Sequence, residues 1–340
     1  MMIVCLTGEA GIGKTRLAEE LMTWASRLGI TTATANCYAG GGLSFEPVIT
    51  WLRSPEIKSV LNDLKALEFA VEAGNLSREI GNGWNMAYAS WVQGMVHDAL
   101  GNWGRAQILY QESRRIGDEV GLLMALTAVP LQLGTLWRRL GQVGQAEAIH
   151  REALAASEAA APLMLRALEA ALALDAFAGG ESAEGYRWQV KANAREPMGD
   201  IGTSLALTIP VTAAVTAAQH NNQWHEALSA VEEDLHEARR RQLLIHELPL
   251  GYEFGRCLAG QQKFAEAETQ LGETLSRAEQ IGLLPLALDC SKGLISLFRT
   301  LDIPDKATSY EQQAGDIARQ LADSLMDVEQ SSRFLAYTAV

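Results

Sequence analysis

"LGNWGRA" at residues 100–106 and "LGQVGQA" at residues 140–146 are the same phrase forty positions apart, and they fix how the chain folds. Each puts a glycine at a turn, a bulky apolar residue two positions on, and an alanine three positions after that. Four further segments follow the pattern: "GESAEG" around Gly180 and Gly185, "NQWHEA" with Asn222, Trp224 and Ala227, "QKFAEA" with Gln262, Phe264 and Ala267, and "DIPDKA" with Asp302, Pro304 and Ala307. The turn positions 101, 141, 180, 222, 262 and 302 are separated by 40, 39, 42, 40 and 40 residues. Self-similarity at one period predicts stacked copies of a single supersecondary unit, because one unit cannot bury its apolar face alone.

The residue types match a tetratricopeptide-like helix-turn-helix. A small residue early in the second helix lets it pack closely on the first, and an aromatic just before it fills the gap. Gly94, Gly134 and Gly255 fall seven residues before their turns, at the small site of the first helix. The expected fold class is mainly α: a tetratricopeptide-like α-solenoid of about six units of ~40 residues over 83–340. A half repeat, "DLKALEFAVEAGNLSREIG", precedes it within a junction at 56–82. The first helices of such stacks line a concave surface. Register counted from the turns places Tyr88, Trp91, Met95, Arg138, Arg139, Tyr252, Arg256, Lys292 and Arg299 on it. Arginine and aromatic side chains on one face suit a partner segment with acidic and apolar groups, although several would also cover neighbouring helices.

Residues 1–55 read differently. Ile3–Thr7 is a short β-prone run, and "GEAGIGKT" at 8–15 is a full G-x-x-x-x-G-K-[ST] match. Gly8, Gly11 and Gly13 let backbone N–H groups turn toward phosphate oxygens, Lys14 reaches the β and γ phosphates, and the Thr15 hydroxyl ligates Mg²⁺. Leu17, Ala18, Leu21, Met22 and Ala25 then recur at helical spacing, and a second strand is expected from Ile30 to about Cys37. "GEAGIGKTRLAEEL", "CYAGGGLSFEPVITWL" and the repeats behind them resemble the signal-transduction STAND ATPases of bacteria, found in large transcriptional activators and beside class III nucleotide cyclases. That resemblance implies a nucleotide-controlled signalling switch. In the family the nucleotide domain continues through a Walker B strand, sensor residues and a winged helix, whereas here the helical repeats begin at once. The expectation is therefore a truncated P-loop segment that holds ATP or ADP with Mg²⁺ through Gly8, Gly11, Gly13, Lys14 and Thr15. No ATP turnover is expected from this chain alone, because the nearest acids, Glu46 and Glu56, sit beside prolines and not at the end of a strand. The alternative is an ATPase completed by another chain or domain.

Composition excludes other classes. A formal charge of -13 over 340 residues argues against nucleic acid or an anionic membrane as partner. Cys5, Cys37, Cys257 and Cys290 have neither zinc-ligand nor disulfide-framework spacing, and no apolar run approaches the roughly 20 residues of a membrane span. A cytoplasmic location is expected. Asp175 follows an apolar run as a Walker B acid would, but the alanine-rich "ALALDAFAGG" favours a helix. His220 and His225 flank Trp224 in a turn with no third ligand near, and Arg239, Arg240 and Arg241 form a charge run on a solvated helix face. The reading that remains is a repeat protein that binds a protein or peptide, with no catalytic residue of its own.

Overall fold

A computed structural model of the chain describes residues 14–27, 65–195, 208–240 and 243–338. The chain divides into two compact units, Met1–Phe69 and Ala70–Val340. In the first, helix α1 (Lys14–Arg27) begins at the lysine of the glycine loop, and Arg16 and Glu20 pair one turn apart on its exposed face. Gly8, Gly11 and Gly13, and the expected strands at 3–7 and 30–37, lie outside the described residues, as do the side chains of Lys14 and Thr15.

The second unit is helical throughout its described residues. After α2 (Lys65–Glu79), the first repeat is α3 (Gly83–Ala99) with α4 (Trp103–Glu119). The second repeat opens with one helical turn, α5 (Leu123–Leu126), and continues as α6 (Ala128–Arg139) with α7 (Val143–Ala160). The third is α8 (Leu165–Ala178) with α9 (Ser182–Asn193), and the fourth α10 (Thr208–Asn221) with α11 (Trp224–Arg240). The fifth is α12 (Leu244–Gly260) with α13 (Phe264–Gln280), and the sixth α14 (Leu284–Thr300) with α15 (Pro304–Asp323). A terminal helix, α16 (Val328–Thr338), follows.

One backbone device makes the turns. Gly101, Gly141, Gly180, Asn222, Gln262 and Asp302 all have positive φ, between 55° and 81°. These are the six positions that carried the period in the sequence. A left-handed residue just past a helix end reverses the chain and lets the next two N–H groups return to the last turn. At the first turn the Gly101 N–H donates to the Asp98 carbonyl at 3.0 Å and the Asn102 N–H to the His97 carbonyl at 2.8 Å. The fifth turn repeats this with Gln262 to Ala259 and Lys263 to Leu258.

The small sites have a packing reason. A Cβ added to Gly134 would stand 2.4 Å from Nε2 of His150 on the paired helix, and one added to Gly94 would stand 2.7 Å from the Tyr110 ring. The second helices answer with Ala106, Ala146, Ala267 and Ala307, all buried. Trp103, 1% exposed, fills the gap before the first of these.

The stack curls until its ends meet. The turn of the first repeat lies against the sixth: a Cβ on Gly101 would fall 2.3 Å from Cδ2 of Leu321 and 3.3 Å from Leu284 and Pro285. The Trp103 backbone N–H donates to the Ser324 hydroxyl at 3.1 Å, and its ring meets Phe334 of α16 edge-on at 5.0 Å. Gln330 bonds both Gln107 and Gln142, and Tyr337 covers Gly141. The concave face expected to be an extended groove is thus drawn into a closed turn.

Two substitutions should move stability in opposite directions. Gly134→Ala has the better helix former yet pushes into His150, and should cost about 2–3 kcal/mol in denaturant unfolding. Gln262→Gly relieves the left-handed strain of a long side chain, and should gain about 0.5 kcal/mol after the added freedom of the unfolded chain. A stabilising Gly134→Ala would contradict the packing described.

Candidate functional site

The inner side of the turn holds a half-open cavity of about 320 Å³. Its wall is built from the ends of α6, α8 and α10, the first half of α14, Trp103 at the start of α4, and the terminal helix. Four inner helices from four different repeats therefore meet at one place, which only the curl of the stack allows.

Arg138 and Arg139 end α6 and point to different partners. The Arg138 guanidinium donates to Asp175 Oδ1 at 2.8 Å. The other carboxylate oxygen of Asp175 lies 2.6 Å from His150 Nδ1, while His150 Nε2 lies 3.1 Å from the Leu131 carbonyl. His150 is fully buried and Asp175 is 1% exposed. Burial alone would raise the Asp175 carboxyl, but the His150 hydrogen bond and the Arg138 charge overcome it and hold it below its ordinary range. Asp175 therefore sits in helix α8 as a structural anion that fixes Arg138 on the wall.

Arg139 reaches across the ring to Asp289 of α14 at 3.4 Å, joining the second repeat to the sixth. It also faces Asp98, whose carboxylate accepts the Tyr110 hydroxyl at 3.2 Å. Burial pushes the Asp98 carboxyl up to about 6, against the opposing pull of Arg139 and Tyr110. Lys292 stands one turn beyond Asp289 on the same helix, half-buried and lining the cavity. Burial lowers its ammonium below the ordinary lysine range, and the Asp289 charge opposes that shift.

The remaining inward positions are distributed more widely. Arg256 donates to Glu253 at 2.7 Å and Gln219 at 2.6 Å, and its guanidinium lies 5.7 Å from the centroid of the Tyr252 ring. Tyr88 meets Trp91 edge-on at 5.4 Å; Trp91 is buried, and Met95 packs partly buried on the core. Arg299 is exposed and pairs with Glu311 of α15 at 2.8 Å, two turns beyond Lys292 along α14. So Arg138, Arg139 and Lys292 are brought together around the cavity, while Tyr88, Trp91, Tyr252, Arg256 and Arg299 are not among its lining residues.

Sequence reasoning missed the wall's other members. Asp289 could have been read from its i, i+3 spacing to Lys292 on one helix face. His220 is exposed, as expected near a turn, but it belongs to the last turn of α10, stacks on Phe177 at 4.8 Å and lines the cavity. Phe334 and Tyr337 carry no local signal, because their placement depends on the ends of the stack meeting.

Asp98 gives the site a pH signature. Its folded-state affinity for a proton exceeds the unfolded one, so its contribution to stability is complete below about pH 4 and is lost as pH rises through about 6. Replacing it by asparagine removes that loss. Melting temperatures of Asp98→Asn and wild type should lie close together at pH 4, with the variant gaining as pH rises to about 6 and the difference levelling off above it; a difference independent of pH would contradict this.

No family model matches the chain, and no curated protein matches it. Among solved structures it is similar to a Signal Transduction ATPase with Numerous Domains (STAND) protein with a tetratricopeptide repeat sensor from Pyrococcus horikoshii, at 14% identity and a TM-score of 0.46 over 83% of this chain and 44% of that one. It is also similar to monomeric mutants of IFIT1 solved with m7Gppp-AAAA and with Gppp-AAAA, each at 12% identity over 96% of this chain and 72% of that one, with TM-scores of 0.42 and 0.41. The chain spans less than half the length of the STAND protein it is similar to.

Proposed function

We propose that the chain is a partner-binding repeat module that takes a protein or peptide segment bearing acidic and apolar groups on its inner face. The observation that carries this reading is charge placement. A chain of net charge -13 gathers Arg138, Arg139, Arg256 and Lys292 along its inner helices, with Tyr252 beside them. An excess of one sign across a binding face steers the opposite sign toward it and rejects like-charged partners. Arg138 is committed to Asp175, Arg256 to Glu253 and, more loosely, Arg139 to Asp289, so Lys292 is the cation a partner meets first, with Arg139 beside it.

The P-loop segment belongs to the same proposal. Gly8, Gly11, Gly13, Lys14 and Thr15 form a phosphate cradle that holds ATP or ADP weakly, with Thr15 on Mg²⁺. A carboxylate to hold the metal and a group to orient water are both needed for hydrolysis, and the sequence beside the loop supplies neither. Nucleotide binding without turnover would make the segment a sensor attached to the repeats, as the resemblance to signalling ATPases suggests.

Two experiments test the two halves. Selection from a random-peptide display library on the full chain should enrich acidic sequences with apolar anchors, and Arg139→Glu with Lys292→Glu should abolish that enrichment while helicity stays unchanged. Enrichment of basic sequences, or none, would count against the reading. A fluorescent ATP analogue with Mg²⁺ should show weak binding that Lys14→Ala removes, with no phosphate released by either protein; Lys14-dependent release would show that the site is completed elsewhere.

A further inference from the structure

The cavity has a chemistry of its own. Its wall presents the cations Arg138, Arg139 and Lys292 and a single carboxylate, Asp289. The anions that balance the arginines further, Asp175 and Asp98, stand behind the wall and are spent on buried partners. Among the described residues Lys292 makes no hydrogen bond and no ion pair. A half-buried ammonium with unspent donors, lining a cavity, has the most to gain from an anion brought to it.

The apolar part of the wall is flat. Phe177 and His220 lie stacked with their planes 19° apart, and Tyr337 stands in the same wall, half-exposed. A space of about 320 Å³ is at the lower end of small-molecule pockets.

We propose that this cavity binds a small monoanion carried on a flat apolar body, with the anionic group on Lys292 and Arg139 and the body against the Phe177–His220 stack and Tyr337. The site shares Arg139 and Lys292 with the protein-segment reading, but it needs no partner chain to hold its ligand. Binding there ties α6, α10, α14 and α16 together, so the ligand would also hold the ring closed. The chemical class is aryl carboxylate or aryl sulfonate; the contacts do not depend on which of the two acids supplies the charge.

The test uses the full chain and two dyes of one shape, 8-anilinonaphthalene-1-sulfonate and its uncharged analogue N-phenyl-1-naphthylamine. Wild type should bind one sulfonate dye per chain, and bind it about 10-fold or more tighter than the neutral dye, the size of one charge-assisted hydrogen bond. Lys292→Met should erase that preference, leaving the neutral dye unchanged, and Lys292→Arg should restore it. Thr216→Tyr, which fills the cavity from α10, should abolish both. The proposal is overturned if wild type shows no preference for the charged dye, if Lys292→Met keeps the preference, or if Thr216→Tyr leaves binding intact. Peptide selection can fail without touching any of these outcomes, and these can fail with peptide selection unaffected.

Discussion

The missing side chain of Gly134 is the constraint on which the site depends. Because no Cβ stands there, helix α7 comes close enough to place the His150 ring against the backbone of α6. The ring then bridges the Leu131 carbonyl and the Asp175 carboxylate, and Asp175 fixes Arg138. A packing rule of the repeat is thereby turned into the position of a cation on the inner wall. Removing Asp175 would leave Arg138 and the Nδ1 of His150 without their shared partner, and breaking a buried pair in this way costs about 3–5 kcal/mol. The same gap at Gly94 admits Tyr110, whose hydroxyl meets Asp98 and so reaches Arg139.

Closure of the stack is the second determinant. A solenoid of this kind is quasi-one-dimensional, each repeat touching only its neighbours. Here Gly101, Trp103 and Gly141 accept residues from the sixth repeat and the terminal helix, so the ends are neighbours as well. The consequence is a change in the kind of ligand the inner face can hold. An open superhelical groove offers length, whereas a closed turn offers a half-open cavity with cations on several sides, where partial shielding from water strengthens electrostatic contacts.

The fold was legible in the sequence where the physics is local. A residue in the left-handed conformation must be glycine or a tolerant polar residue, and all six turn positions could be read from that demand and its spacing. The small sites at Gly94 and Gly134 were legible for the same reason. Arg138, Arg139 and Lys292 were found from register alone, because an inner position is a periodic property. Arg299 shows the limit of register: it lies two turns past Lys292 on the same helix face, yet it pairs with Glu311 and does not line the cavity. Asp289, His220 and Phe334 were not legible as a group, since repeats separated by 100 residues or more in sequence meet only through the summed curvature of every interface between them. The glycine loop was legible as a motif, and its geometry lies outside the described residues.

Closure is the claim that most needs a direct measurement, and the Trp103–Phe334 contact supplies one. The two rings are 231 positions apart in sequence and 5.0 Å apart in space. A double-mutant cycle with Trp103→Leu and Phe334→Leu, read by denaturant unfolding, isolates their interaction from everything each ring does separately. The closed turn predicts a coupling of about 0.5–1.5 kcal/mol, the usual worth of an edge-on aromatic pair. Additive effects, equal within about 0.3 kcal/mol, would mean that the ends of the stack do not meet.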